Sequence, residues 1–429
     1  MTEVKSLTKA TSGVLKNTGP VPFENENQLK AQLLGIGSNL NSFTGHDSAS
    51  REQMWCSHIG QSLVIEGSTP RRIQTGAERE LGKFTFDIKM PVDAKIIKLV
   101  QKYPKTAGAG SIRNNPVTAV IYEDINTNEI GVLMLTEYHT LHTVFGFKYK
   151  YNGNLNRLNS NDPIPAGTII ASSPSIKPGG QYAYGIEANV AYMSIPQVIE
   201  DGFVVRRGFL KEMKVTGIDN RVVSWGKEYY PLNLYGDENN YQPFPNIGER
   251  VRSDGLIFAL RKYDVSTGIT DMTTKALMEV DYVYDQLTYA EVGALVTDVT
   301  ANHDFFTLPK NSAPVGMNAQ VNRYANLQGE YYKTILKEYY KLKRVRGDAL
   351  QLTPQLHQLI VDALADDPDS VSYRVTRMYR RTPLDDWRVD IQFSRQVEPT
   401  IGYKPTDGHG SKGVFRNLKE QSNEETNFH

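Results

Sequence analysis

Apolar and polar residues alternate in short runs over most of this chain. VTAVIYED (117–124) and EIGVLMLTEY (129–138) are β-branched and aromatic runs on either side of INTN, which predicts a hairpin with an Asn-rich turn. GTIIASSP (167–174), EANVAYMSI (187–195) and GFVVRRGFL (202–210) predict further short strands, each bounded by Gly or Pro. GERVRSDGLIFALRKYD (248–264) and EVGALVTDVTA (291–301) continue the pattern. One stretch changes period. Between Met317 and Arg346, apolar residues stand at Val321, Tyr324, Leu327, Tyr331, Ile335, Tyr339, Leu342 and Val345, in steps of three and four that share one face of a helix. Lys337, Lys341 and Lys343 gather toward its C-terminal end, where the helix dipole favours cations, and Gly347 is placed to stop it. A second helix is expected from Thr353 to Ala365. The pair reads as a helical insertion, because alternation resumes in VSYRVTRMYRRT (371–382) and WRVDIQFSRQV (387–397). Arg374, Arg377, Arg380 and Arg381 give the first of these local positive charge, which by itself also fits a solvated strand face.

Composition narrows the class. At 429 residues the chain is long enough for two or three domains with real cores. Lys+Arg and Asp+Glu are both 48, so a stand-alone nucleic-acid binder, usually strongly basic, is disfavoured, whereas a subunit lending one basic surface to a larger site is not. Cys56 is the single cysteine, which excludes an intrachain disulfide and a thiolate metal cluster. The N-terminal MTEVKSLTKATSGVLKN lacks the apolar core of a signal peptide, and runs such as GVLML (131–135) are too short to span a bilayer. No membrane association is expected. The 24 tyrosines against 15 phenylalanines fit half-buried sheets and partner surfaces.

Three stretches can carry chemistry. GYKPTDGHGSKGV (402–414) holds Lys404 and Lys412, eight residues apart, with His409 and four glycines. It is no Walker A loop, since Ser411 precedes Lys412, and it has no second His or Cys at zinc spacing. What remains is two ammonium groups on a flexible backbone, suited to phosphate; the same composition also makes an ordinary surface turn. VIEDGFVV (198–205) sets Glu200 and Asp201 side by side between apolar runs, either as paired site carboxylates or as a strand-capping turn. HDSASREQM (46–54) reads as a helix start with Asp47 or Ser48 as N-cap and Arg51 in the first turn. A loop with Gln61, Arg71 and Arg72 and then a Gly-Ala-Glu turn are expected after it.

These blocks, in this order, resemble the β subunit of multisubunit DNA-directed RNA polymerase. HDSASREQM resembles the family's His-Asp-x-x-x-Arg-x-x-Met, and GAERE its Gly-Met-Glu-Arg. The run from Pro163 to Met213 is similar along its length, with the Glu-Asp turn in place, and NIGERVRSDGLIFALRKYD resembles the Gly-(x)-Asp-Ile-Leu-Val-Gly-Lys segment. GYKPTDGHGSKGV resembles Gly-Asp-Lys-x4-Arg-His-Gly-Asn-Lys-Gly-Val with the same step between lysines. The resemblance covers roughly residues 45 to 415. It implies that Lys404 and Lys412 reach phosphates of the RNA 3′ region and the initiating nucleotide. It implies that Glu200 and Asp201 stand near the incoming triphosphate, with Asp201 acting indirectly toward a second magnesium ion. Arg51 and Gln61 would lie close to nucleotide and RNA, and His409 would shape the loop.

The implied fold is mainly β (α+β): a half-chain double-psi β-barrel with a flap-like insertion containing helices. Its boundaries are an N-terminal extension (1–45), an active-site-proximal region with hairpins (46–162), a first barrel half (163–235), the insertion (236–370), a second barrel half with the lysine motif (371–415) and a polar tail (416–429). The sequence departs from the family pattern at Tyr403, Gly408 and Ser411, where Asp, Arg and Asn are usual, and at Gly60, where Arg is usual. Both flanks of a cellular β subunit are missing, and so is the Asn-Ala-Asp-Phe-Asp-Gly-Asp motif of β′ that holds the main Mg2+. The implied protein is therefore one piece of a split β subunit, as in giant tailed bacteriophages, inactive alone. The rest of β would be on another polypeptide or exon. Its partners would be β′-like subunits, the remaining β, a phage promoter-specificity subunit, and DNA template, RNA and NTPs. It would act in the cytoplasm of the infected bacterium or be packaged in the virion. The alternative is a non-catalytic virion structural or nucleic-acid-binding protein using the same barrel.

Overall fold

A computed structural model describes residues 35–104, 112–142, 144–160, 162–177, 179–194, 196, 201–226, 228–262, 275–302, 316–366 and 387–419. Within them the chain is a mixed α+β protein, mostly strands with some helices.

The alternation of WRVDIQFSRQV sets the largest sheet. Trp387, Val389, Ile391 and Phe393 are buried, while the residues between them are only partly so. This strand, Trp387–Val397, runs antiparallel to Val215–Trp225 over its full length, from Val215 opposite Val397 to Trp225 opposite Trp387. The two terminal tryptophans stack with ring centroids 6.2 Å apart, a cross-strand pair that fixes the register. Leu295–Asn302 lies on the outer edge of Trp387–Val397, and Phe145–Lys148 and Tyr138–Thr140 follow Val215–Trp225, giving five strands. A bulge between Val296 and Asp298 bends the outer strand. The sheet curls into a half-barrel.

The hairpin expected from VTAVIYED forms, with Val117–Asp124 paired antiparallel to Ile130–Thr136 and Ala94–Gln101 on its other side. Residues 118–122 are all buried, because this sheet is covered on both faces. One face packs Val120, Tyr122 and Leu135 against Phe147, Tyr149 and Ile170. The other packs Ala119, Ile121 and Val132 against Tyr331, Ile335 and Leu336 of the long helix Ala319–Arg346 and Leu356 and Ile360 of the helix Pro354–Asp366. Val321 and Tyr324, earlier on the long helix, enter the core of the half-barrel sheet. One helix thus joins two sheets, and it ends where Gly347 takes φ of +57°.

Some expectations are corrected. EANVAYMSI forms no strand within 187–194; no described strand pairs with it, and Val190, Tyr192 and Met193 are exposed. Alternation alone cannot make a strand without a neighbour to bond. GFVVRRGFL splits: Gly202–Arg206 is a strand, but Arg207–Glu212 turns into a short helix, because the Arg206-Arg207 pair breaks the apolar run and only Leu210 is buried. Gln61 is the last residue of the helix Ala49–Gln61, not part of a loop, and the Gly-Ala-Glu turn is the start of a helix, Ala77–Gly82. VSYRVTRMYRRT with its four arginines, and Glu200, lie outside the described residues. Among the described residues, no helix is long and apolar enough to cross a membrane.

Candidate functional site

GYKPTDGHGSKGV folds back on itself. The Phe415 N–H donates to the Tyr403 carbonyl (2.9 Å), that of Gly413 to Pro405 (3.2 Å) and that of Asp407 to Ser411 (3.0 Å). Thr406 stands opposite Lys412. In this register even-numbered residues share one face, so the eight-residue step sets Lys404 and Lys412 diagonally on the same side. Both lysines are exposed. The Asp407 carboxylate holds the tip by accepting from the N–H groups of His409 (2.9 Å) and Ser411 (2.8 Å).

The loop is clamped from two sides by distant parts of the sequence. On one side is the helix Ala49–Gln61, whose N-cap Ser48 accepts from the Arg51 N–H. The Arg51 Nη1 donates to the Gly410 carbonyl at 3.3 Å. A Cβ on Gly410, where φ is +77°, would lie 2.2 Å from the Arg51 carbonyl oxygen, so only glycine fits. The His409 Nδ1 is 3.1 Å from Asp47 Oδ1, and its ring packs 4.4 Å from Phe43. Asp47 is held in turn by the buried Asn41, whose Nδ2 donates to it at 3.2 Å. On the other side is Asp201. The Val414 N–H donates to the Asp201 carbonyl at 3.0 Å, and Gly202–Arg206 continues beside Val414–Lys419 as a parallel pair.

Of the residues expected to form a site, Arg51, His409, Lys404, Lys412 and Asp201 are gathered around this loop. The first and last of these contacts join positions more than 200 residues apart in sequence with a loop that spans little more than ten. Gln61 sits exposed at the far end of the Arg51 helix, and Asp201 is exposed. Three neighbours had no motif of their own to mark them. Arg71 lies between Trp55 (5.4 Å) and Tyr184 (5.3 Å), donates to the Tyr184 hydroxyl at 3.0 Å, and occupies the space over Gly408. Tyr192 donates to Asp407 at 3.5 Å. His58 lies seven residues after Arg51, on the same face of the helix. Its pKa is lowered by burial first and then by Lys412 and Lys404, against an upward pull from Asp407.

Chemically the loop offers two ammonium groups on one open face, backbone N–H groups already committed to the tip, and a carboxylate at its base. That set suits a phosphate-bearing ligand. Among the described residues no group of three or more His, Cys, Asp or Glu side chains could hold a metal ion. Asp201 alone is far short of the oxygen cage that Mg2+ requires.

No protein-family model matches the chain.

Proposed function

We propose that this chain is a piece of the β subunit of a multisubunit DNA-directed RNA polymerase of the split kind found in giant tailed bacteriophages. In this reading the hairpin lysines hold phosphates of the RNA 3′ end and the nucleotide. The single observation that carries it is the convergence at the loop: Arg51 bonds Gly410 and Asp201 bonds Val414, so the three motifs of the resemblance meet at one point. In this proposal a double-psi barrel would be built from the half-barrel sheet together with the separate two-stranded parallel sheet of Gly202–Arg206 and Val414–Lys419. A departure from the family pattern also has a physical account. Gly408 stands where arginine is usual, and a Cβ there would meet the Arg71 guanidinium at 2.3 Å, so a guanidinium from elsewhere in the chain fills that space.

Lys404 and Lys412 would position the reacting phosphates and offset charge that builds up as the phosphodiester forms. Arg51 would keep the loop in place through Gly410, and His409 through Asp47. Magnesium would supply Lewis-acid stabilisation of attacking and leaving oxygens, held mainly by a β′-like partner, with Asp201 contributing at most one carboxylate. Lys404→Ala and Lys412→Ala in the assembled complex should each lower RNA extension on the order of 100-fold, with circular dichroism of the chain unchanged. Extension at the normal rate by a complex carrying both substitutions would reject the reading and favour a non-catalytic role.

A further inference from the structure

Most buried polar atoms in a folded protein have a hydrogen-bond partner, and one that does not calls for a reason. The Nδ1 of His58 is buried with no partner. His58 does not belong to any motif of the resemblance, yet its position is set by one. Arg51 is fixed against the hairpin by its bond to Gly410, and residue 58, two turns later, falls within about 20° of the same direction around the helix axis. That sets residue 58 on the side of the helix that is turned toward the hairpin. The charged groups that act on the ring are Lys412, Lys404 and Asp407, all of the hairpin, and Tyr192 hydrogen-bonds Asp407 from the segment before Asp201.

We propose that His58 is the third phosphate-contacting group of this site, completing with Lys404 and Lys412 a three-sided cradle in which the imidazole takes up a proton from solvent as the anion binds. The proposal rests on reading the lysine face as a phosphate site. Its physics is simple. With no anion present, burial and two nearby ammonium groups oppose a charge on the ring, so its pKa lies below the ordinary 6.5 and it is neutral near neutral pH. A phosphate seated between the ring and the lysines reverses the sign of the local field and favours the imidazolium, which then donates a charge-assisted hydrogen bond. The site would bind a phosphate chain more tightly as pH falls through the range in which the imidazole takes up its proton.

The test is calorimetric titration of inorganic tripolyphosphate into the full chain at about pH 6 and about pH 8, in paired buffers of different ionisation enthalpy. Wild type is compared with His58→Gln, which cancels the ionisation of the ligand itself. Wild type should bind about fivefold or more tightly than His58→Gln at the lower pH and nearly equally at the higher, with extra proton uptake in wild type alone. His58→Asn, checked with the first variant for native circular dichroism, should behave the same way. A wild-type to variant ratio that does not change with pH, with equal proton uptake, overturns the role of His58. Lys412→Ala separates the two ideas. If it binds as well as wild type, or if wild type does not bind at millimolar tripolyphosphate, the phosphate reading of the loop falls and this inference with it. If it binds weakly while the His58→Gln ratio stays flat, only the inference falls.

Discussion

At the scale of single residues, the loop is held by glycines whose missing side chains are filled by backbone. A Cβ on Gly413 would sit 2.0 Å from the Asp201 carbonyl oxygen, which cannot move without breaking the bond from Val414. Gly413→Ala should therefore destabilise the chain by about 1–3 kcal/mol, the usual cost of overpacking, in denaturant unfolding. Gly153→Ala, with nothing within 4 Å, is the control and should be close to neutral. Equal costs for the two would mean that the loop is not clamped as described. The two lysines and the eight-residue step between them could be read from the sequence. That Arg71 fills the space over Gly408, and that His58 faces the same hairpin, could not, because both depend on how a helix and a loop from opposite ends of the chain are packed.

At the scale of elements, period was the reliable signal and partnership the missing one. The long helix was legible because its apolar residues repeat at three and four, and Val321, Tyr324, Tyr331 and Ile335 are indeed its buried face. Val345, in the same stripe, is 79% exposed, and at this end of the helix it is its neighbour Arg346 that bonds the sheet, through Glu123 and the Asn128 carbonyl. Ile335→Ala should thus cost about 2–5 kcal/mol, and Val345→Ala should fall within about 0.5 kcal/mol of wild type; comparable losses at both positions in thermal unfolding would contradict the packing. The hairpin at 117–136 was likewise legible from its β-branched runs and Asn-rich turn. EANVAYMSI was misread because its alternation is genuine but, within 187–194, no described strand lies alongside it.

At the scale of the whole molecule, the two sheets are joined by a buried ion pair as well as by the long helix. Lys102, just past Ala94–Gln101, donates from Nζ to Asp298 Oδ1 and Oδ2 at 3.0 and 2.9 Å and to Thr300 Oγ1 at 2.7 Å. Asp298 sits at the bulge of Leu295–Asn302 and also accepts from the Tyr103 hydroxyl at 3.0 Å, with burial and Asp298 pushing the pKa of that phenol far up. Asp298→Ala would strand the Lys102 ammonium, whose side chain is only 7% exposed, and should cost about 3–5 kcal/mol. Replacing both partners with apolar residues should restore most of that loss; if the single change is as mild as a surface substitution, the pair does not join the sheets.

The sequence by itself determined the local elements and the chemistry on offer, because strand and helix periods, turn residues and the spacing of two lysines are properties of neighbours along the chain. Only the tertiary structure decided that residues 51, 201 and 404–412 meet, that one helix serves two cores, and that the His58 Nδ1 is buried without a hydrogen-bond partner. Those outcomes depend on which buried surfaces fit together across hundreds of residues, and no periodicity along a chain encodes which distant partner a surface will find.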